Sequence, residues 1–120
     1  IAEATGYHHG ETSLVETIVG MAQEHIGTNN INLLRPEGQF GSRLAKPSVH
    51  AQPRYIFTSL EPIASFIFRA EDEALLRLKV EEGQTIEPEN FLPTIPLVLV
   101  NGAAGIGTGW MTDVPCYHPL

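Results

Sequence analysis

Two adjacent histidines, His8 and His9, are the first residues along the chain whose side chains suit catalysis or binding. Imidazole nitrogens ligate metals, and His8 would share a face with Glu11 if this segment were helical. The sequence has no second cluster to supply the remaining ligands of a metal site. Hydrogen bonding to a phosphate and an ordinary structural role are the other two interpretations, and the pattern leaves all three open.

A second candidate is the glycine-rich segment at residues 101–110, which follows the apolar run at residues 97–100. A strand that leads into such a loop is typical of a phosphate cradle, but neither the P-loop lysine nor the dinucleotide G-x-G-x-x-G is present. Ile106 stands between two glycines. At an exposed loop tip it would wedge between base steps and kink DNA, whereas its residue type alone favours burial.

The charge distribution is uneven. The net charge is −7, which opposes DNA binding in general, because DNA binding draws on Lys and Arg to neutralise phosphates. Between Gly38 and Leu60, however, no acidic residue occurs, and that stretch contains Arg43, Lys46, His50 and Arg54. A local DNA-binding surface and an ordinary solvated surface both fit this pattern, and charge alone favours the second.

The elements that would position these residues begin with a helix. Residues 13–16 have the S-x-x-E form of a capping box, and Gly27 is a plausible stop. We therefore predict a helix that ends near residue 26 and whose N–H groups at the N-terminus suit a phosphate. The apolar residues that would form its buried stripe are Leu14, Ile18, Met21, Ala22 and Ile26.

Strand signals follow the helix. An extended stretch at residues 31–34 precedes turn signals at residues 36–38, and a β-prone run covers residues 54–58. Helix, strand, loop and strand is the order of a winged-helix domain, in which the loop can lie along DNA. In that run Tyr55 is by itself an ordinary aromatic residue, better suited to a core than to catalysis.

Further helices are predicted downstream. One opens at residues 61–63 and would bury Ile63, Phe66 and Ile67, and a short one covers residues 73–80. The apolar run at residues 97–100 is predicted as a strand.

Composition limits the class of protein. The chain has 120 residues, at most one domain, and 42% of them are hydrophobic. Both ends look cut, which suggests a fragment of a longer protein. One cysteine, Cys116, excludes an internal disulfide and fits a reducing compartment. No signal peptide is visible and no apolar run could span a bilayer, so a soluble intracellular protein is the default expectation.

Five segments in order, with spacing that needs no gaps, resemble the type IIA DNA topoisomerases, and the eukaryotic type more than the gyrase type. They are residues 7–11, 29–32, 40–43, 53–58 and 99–110. The resemblance covers nearly the whole chain. It implies an α+β fold, with a winged-helix (CAP-like) portion at residues 1–92 that leads into the start of the tower, or shoulder, domain at residues 93–120.

The same resemblance implies the site. Tyr55 would be the nucleophile that forms a 5′-phosphotyrosyl link with DNA, Arg54 would hold the scissile phosphate, and His9 would contact the same phosphate region. The predicted DNA contacts are His8, Thr12, Arg43, Lys46 and Ile106, of which Ile106 matches the family's intercalating isoleucine. No metal ligand is expected in this chain.

One stretch departs from the family. Gly-Gly-Lys-Asp usually precedes the Arg-Tyr pair, whereas residues 46–53 here keep the length but contain Pro47 and Pro53 instead of the glycines. Prolines restrict φ where glycines permit it. The departure predicts a different approach of Tyr55 to DNA.

The resemblance further implies Mg²⁺ and ATP bound outside this chain, double-stranded DNA as the partner, a homodimer, a nuclear location and no membrane. The chain alone is expected not to cleave DNA efficiently. The alternative is a winged-helix DNA-binding module that has become catalytically silent.

Overall fold

The computed structural model describes residues 1–45 and 49–120, and it has the predicted mixture of helices and strands. The helices are α1 (Ala2–Thr5), α2 (Glu11–Ala22), α3 (Ala64–Ile67) and α4 (Leu97–Asn101), with 3₁₀ turns at Pro53–Tyr55 and Ala70–Leu75. The strands are β1 (Leu34–Glu37), β2 (Phe57–Leu60), β3 (Leu78–Glu81), β4 (Gln84–Pro88), β5 (Ala103–Ile106) and β6 (Met111–Val114). They pair as three antiparallel ribbons, β1–β2, β3–β4 and β5–β6.

Helix α2 begins at Glu11 with Gly10 as its N-cap, and no side chain caps it. The predicted capping box is therefore wrong, because Ser13 already lies inside the helix, where its carbonyl accepts a hydrogen bond from Thr17 Oγ1 at 2.9 Å. The helix also ends earlier than predicted, at Ala22. There Asn29 Nδ2 donates to the carbonyls of Gly20 and Gln23, at 2.6 and 2.9 Å, which satisfies acceptors that the helix end leaves open.

The core is small and lies beside α2. Val19, Ala22 and Phe40 are buried, and Val15, Leu34 and Ile56 pack against them. The buried side of α2 is thus the one that carries residues 15, 19 and 22, and of the predicted stripe only Ala22 is fully buried. Ile26, predicted in that stripe, follows the helix and is 76% exposed.

Strand β1 pairs with β2 in a register from Leu34↔Leu60 to Glu37↔Phe57, so the predicted order of helix, strand, loop and strand is confirmed. Both strands lie further along the chain than predicted. The run at residues 54–58 is split, because Pro53 starts a 3₁₀ turn and the strand begins only at Phe57.

The loop between β1 and β2 is held against the core at several points. Gly38 has a φ of +122°, and a Cβ there would lie 2.8 Å from Ile56 Cγ2. The buried Gln23 donates from Nε2 to the Phe40 carbonyl at 2.8 Å. Further along, the Ala51 N–H donates to the Gln39 carbonyl at 2.9 Å. These contacts fix where the chain enters the turn at Pro53.

The next helix, α3, buries Ala64 and Ile67, whereas Phe66, predicted in the core, is 74% exposed. Ile63, also predicted there, is 42% exposed. The predicted helix at residues 73–80 is wrong, since β3 occupies most of that segment. Glu82 and Gly83 both have positive φ and connect β3 to β4, as the tight turn of a two-residue hairpin requires.

The predicted strand at residues 97–100 is helix α4, which Pro96 precedes as its N-cap. A short apolar run does not by itself distinguish a strand from a buried helical turn. The β5–β6 ribbon follows directly. Within residues 1–45 and 49–120, none of the helices has both the length and the apolar character needed to cross a membrane.

Candidate functional site

Tyr55 is the last residue of the turn Pro53–Tyr55, not part of a strand as predicted. Its N–H donates to the Gln52 carbonyl at 2.9 Å, which fixes the backbone of the turn. The residue is 64% exposed. The interpretation of Tyr55 as a core residue is therefore wrong, and its phenol can be reached from solvent.

Arg54 lies beside it in the same turn. The Arg54 guanidinium carbon is 4.8 Å from the centroid of the Tyr55 ring, a cation–π arrangement. Both residues are exposed. The pair combines a nucleophile with a planar group that can donate two parallel hydrogen bonds to a phosphate.

A groove of about 230 Å³ runs between the start of α2 and this turn. The residues that line it are Glu11, Thr12, Val15, Glu16, His50 and Pro53. It brings Thr12 to the side of the turn that holds Arg54 and Tyr55. Because two carboxylates also line the groove, a phosphate bound there would depend on nearby cations to offset repulsion.

The two histidines point in different directions. His8 Nε2 lies 2.7 Å from Glu81 Oε1 on β3. His9 packs edge-on against the Tyr7 ring, with centroids 5.5 Å apart, and the Tyr7 hydroxyl donates to the Gly10 carbonyl at 3.2 Å. The structure therefore separates the pair, with His9 on the segment that enters α2 and His8 tied to the β3–β4 ribbon.

Metal coordination by His8 and Glu11 on one helical face does not occur, because α2 begins only at Glu11. In the part of the chain that the structure describes, no group of three or more His, Cys, Asp or Glu side chains could hold a metal ion.

Ile106 lies at the end of β5 and is 92% exposed. The Gly107 N–H donates to the Trp110 carbonyl at 2.8 Å and closes the turn of the ribbon. The expectation of a buried isoleucine is wrong, and the alternative of an exposed apolar tip describes the structure. Trp110 is also exposed, at 85%.

The remaining predicted contacts lie in or beside the loop between β1 and β2. Arg43 is exposed in a turn of that loop, next to Leu44. Lys46 lies outside the described residues, as do the first positions of the stretch that departs from the family. Of that stretch, His50 Nδ1 is 2.7 Å from the Ala51 carbonyl, so the ring donates from Nδ1.

Sequence reasoning missed two asparagines that join distant segments. Asn30 Nδ2 donates to the carbonyls of Val100 and Tyr117, at 2.7 and 3.0 Å. Asn101 accepts from the Ile31 N–H at 2.9 Å and donates to the Ile31 carbonyl at 2.8 Å. Both lie in the segments that carry the family resemblance, but no periodicity or spacing singles them out.

Comparison with known proteins confirms the resemblance. The family model that describes the A-type chain of DNA gyrase/topoisomerase IV matches residues 2–120. DNA topoisomerase 2 of Caenorhabditis elegans is 56% identical over 119 residues, which cover 99% of this chain and 8% of that protein. DNA topoisomerase 2 of Trypanosoma brucei brucei is 53% identical over 120 residues, or 100% of this chain and 10% of that protein.

The fold has an equally close counterpart. A crystal structure of the Plasmodium falciparum topoisomerase II DNA-binding, cleavage and re-ligation domain matches with a TM-score of 0.93 and 50% sequence identity. The match covers 98% of this chain and 16% of that one. The chain thus spans about a tenth of the length of the curated relatives it matches. Sequence and fold together show that it belongs to the DNA gyrase/topoisomerase IV family, and within that family to the eukaryotic topoisomerase 2 type.

Proposed function

We propose that this chain is the DNA-cleaving part of an ATP-dependent type II DNA topoisomerase, and that Tyr55 is its nucleophile. The observation that carries the proposal is the exposed Tyr55 phenol beside the Arg54 guanidinium, in a chain that matches a cleavage and re-ligation domain over almost its whole length. Exposure matters because the phosphorus of a DNA duplex must reach the phenol oxygen.

The chemistry is a transesterification. The Tyr55 oxygen attacks a phosphorus of the DNA backbone, the bond from that phosphorus to the 3′ oxygen breaks, and a 3′-hydroxyl leaves. The product is a 5′-phosphotyrosyl bond. Since one phosphodiester replaces another, the reverse attack by the 3′-hydroxyl reseals the strand without further energy input.

Arg54 supplies the electrostatic part of this reaction. Tyrosine ordinarily holds its proton at neutral pH, so a nearby cation assists as negative charge develops on the phosphate and the phenol oxygen. The 4.8 Å approach of the guanidinium to the Tyr55 ring puts that cation within reach of both groups. His9, on the segment that enters α2, would contact the same phosphate region.

The DNA path follows from exposure and charge. Thr12 faces the groove beside Tyr55, and Arg43 and Lys46 belong to the stretch without acidic residues between Gly38 and Leu60. The chain is otherwise acidic, so DNA contact would be confined to this side. His8 is a weaker candidate contact, because Glu81 already engages its Nε2.

Ile106 would act on the shape of the DNA. An apolar side chain that is 92% exposed at the end of a two-stranded ribbon can insert between base steps and kink the duplex. A bent duplex would then follow the surface toward Tyr55.

The domain boundaries belong to the same proposal. Residues 1–92 would form the winged-helix portion, in which β1, β2 and the loop between them make the wing beside α2. Residues 93–120 would begin the tower domain. The order of α2, β1, loop and β2 supports the first assignment.

The cofactors and the assembly would lie largely outside this chain. Mg²⁺ would neutralise charge on the phosphates, and ATP would drive strand passage, both held by other parts of the protein. A homodimer would supply two tyrosines for the two strands of a duplex. A nuclear location fits a protein with eukaryotic relatives such as those of Caenorhabditis elegans and Trypanosoma brucei brucei.

The test compares the full-length protein with two tyrosine variants. Tyr55→Phe removes the proposed nucleophile, and Tyr117→Phe is the matched control because Tyr117 is also exposed, at 58%. After denaturation, we expect protein covalently linked to 5′ DNA ends in the wild type and in Tyr117→Phe, and none in Tyr55→Phe. An adduct that persists in Tyr55→Phe would contradict the proposal.

A catalytically silent DNA-binding module is the second candidate, which the departure at residues 46–53 favours. It predicts duplex binding with no adduct in any of the three proteins. The same experiment therefore separates the two candidates.

A further inference from the structure

We infer that Asn30 and Asn101 form a joint that positions the β5–β6 ribbon, and with it Ile106, relative to α2 and Tyr55. We call the two residues the asparagine joint. Neither is proposed to touch DNA, so both are positioning residues. The inference rests on the proposed function, since Ile106 matters to the reaction only if the chain bends and cleaves DNA.

The joint holds the ribbon at both of its ends. Asn30 Nδ2 donates to Val100, which precedes β5, and to Tyr117, which follows β6. Asn101 pairs with both the N–H and the carbonyl of Ile31, as a neighbouring strand would. The Tyr117 N–H also donates to the Leu99 carbonyl at 2.8 Å, which ties the two ends of the ribbon together.

The other side of the joint is fixed to the core of the chain. Asn29 caps the end of α2 through the carbonyls of Gly20 and Gln23. Two residues beyond Ile31, the Leu33 carbonyl accepts a hydrogen bond from the Glu61 N–H at 2.9 Å, next to the β1–β2 pair. The joint therefore connects α2, which lines the groove beside Tyr55, to the ribbon that carries Ile106.

The ribbon transmits the orientation of its base to its tip. A Cβ on Gly102 would lie 2.6 Å from the Val114 carbonyl oxygen, so the two strands approach closely at the base. Pairing is continuous from Ala103↔Val114 to Ile106↔Met111. At a strand rise of about 3.3 Å per residue, Ile106 lies about 16 Å from Asn101, so a rotation of about 10° at the base moves the tip by about 3 Å. A change in the joint would thus be amplified at Ile106.

Near-isosteric variants test the joint. Asn30→Asp removes both donated bonds, and Asn101→Asp sets a carboxylate oxygen against the Ile31 carbonyl while it keeps the bond from the Ile31 N–H. Asn32→Asp is the matched control, because Asn32 Nδ2 donates only locally, to the Leu34 carbonyl at 2.9 Å.

The first measurement is amide hydrogen exchange in the full-length protein without DNA. We expect exchange at residues 99–117 to become about tenfold faster in Asn30→Asp and Asn101→Asp, with α2 unchanged and no effect of Asn32→Asp. Unchanged exchange at residues 99–117, or equal acceleration throughout α2, would overturn the joint. This measurement does not depend on any activity.

The second measurement is a double-mutant cycle on the cleavage rate. Asn101→Asp is expected to slow formation of the covalent adduct by roughly tenfold or more, since small misplacements cost rate. In an Ile106→Ala background it should cause no further loss, because the joint acts through Ile106. Losses that multiply would assign Asn101 a merely structural role and overturn the inference.

The two arms also separate the inference from the proposed function. If the wild type forms no Tyr55-dependent adduct, the proposed function fails, and hydrogen exchange alone decides whether the joint holds the ribbon. If the adduct forms but the cycle shows independent losses, the proposed function stands and the positioning role fails.

Discussion

A close backbone approach in the β5–β6 ribbon predicts a large effect of a single methyl group at Gly102. This residue has φ of 73° and ψ of 174°, a region open essentially to glycine alone. A Cβ would lie 2.6 Å from the backbone oxygen of Val114, which cannot move without the paired strand. Gly102→Ala therefore strains the backbone and separates the strands at the base of the ribbon.

The magnitude follows from these two effects. The unfavourable dihedral angles cost about 1–3 kcal/mol, and overpacking costs a similar amount, about 1–3 kcal/mol. If part of the clash relaxes, the local free energy of opening falls by about 3 kcal/mol, which corresponds to a roughly hundredfold faster amide exchange in β5 and β6. The assay is hydrogen exchange followed by mass spectrometry on the full-length protein.

Gly20→Ala is the matched control with the opposite sign. Gly20 lies inside α2 with nothing within 4 Å of an added Cβ, so alanine should stabilise the helix by about 0.5–1 kcal/mol. Exchange in the ribbon that is no faster in Gly102→Ala than in the wild type would refute the reasoning, as would equal slowing by both variants.

Three further predictions concern the site and the charges around it. Arg54→Lys keeps the charge but loses the planar fork, so we expect adduct formation to fall about tenfold, and an unchanged rate would remove Arg54 from the mechanism. Ile106→Ala should reduce the bend of bound DNA, measured by energy transfer between dyes on the duplex ends, and an unaltered bend would refute the wedge. Because Arg69 donates a hydrogen bond to it, Glu71 has a pKa below the usual 4.5, so this pair contributes stability above that pH and loses it as the pH falls through the lowered pKa. Arg69→Met should raise the pKa of Glu71 in an NMR titration, and no change would exclude Arg69 as the cause.

The sequence predicted the order of elements around Tyr55 because local signals mark it. Gly38 and Pro36 delimit β1 loosely, and Pro53 marks the entry to the turn. The face of α2 that is buried could not be predicted, since it depends on Phe40, which contacts the helix from a separate loop. Tertiary contact, not periodicity, decided between two neighbouring apolar stripes.

The site itself was predictable only in part. Family resemblance singled out Arg54 and Tyr55, whereas residue type alone favoured a buried tyrosine and a buried Ile106. Their exposure results from a 3₁₀ turn and a ribbon tip, and both features depend on backbone geometry. The bonds of Asn30 and Asn101 had no sequence signal, because they join side chains to backbone groups 70 or more residues away.

The central claim, that Tyr55 attacks DNA, is tested most directly by locating the covalent bond. The full-length protein would be trapped on DNA, digested with nuclease and trypsin, and analysed by mass spectrometry for a nucleotide-bearing peptide. Trypsin cuts after Arg54 and Arg69, and the peptide of residues 55–69 contains Tyr55 but neither of the chain's other tyrosines, Tyr7 and Tyr117. We predict a 5′-linked nucleotide on that peptide; a nucleotide on a different peptide, or on none, would contradict the account.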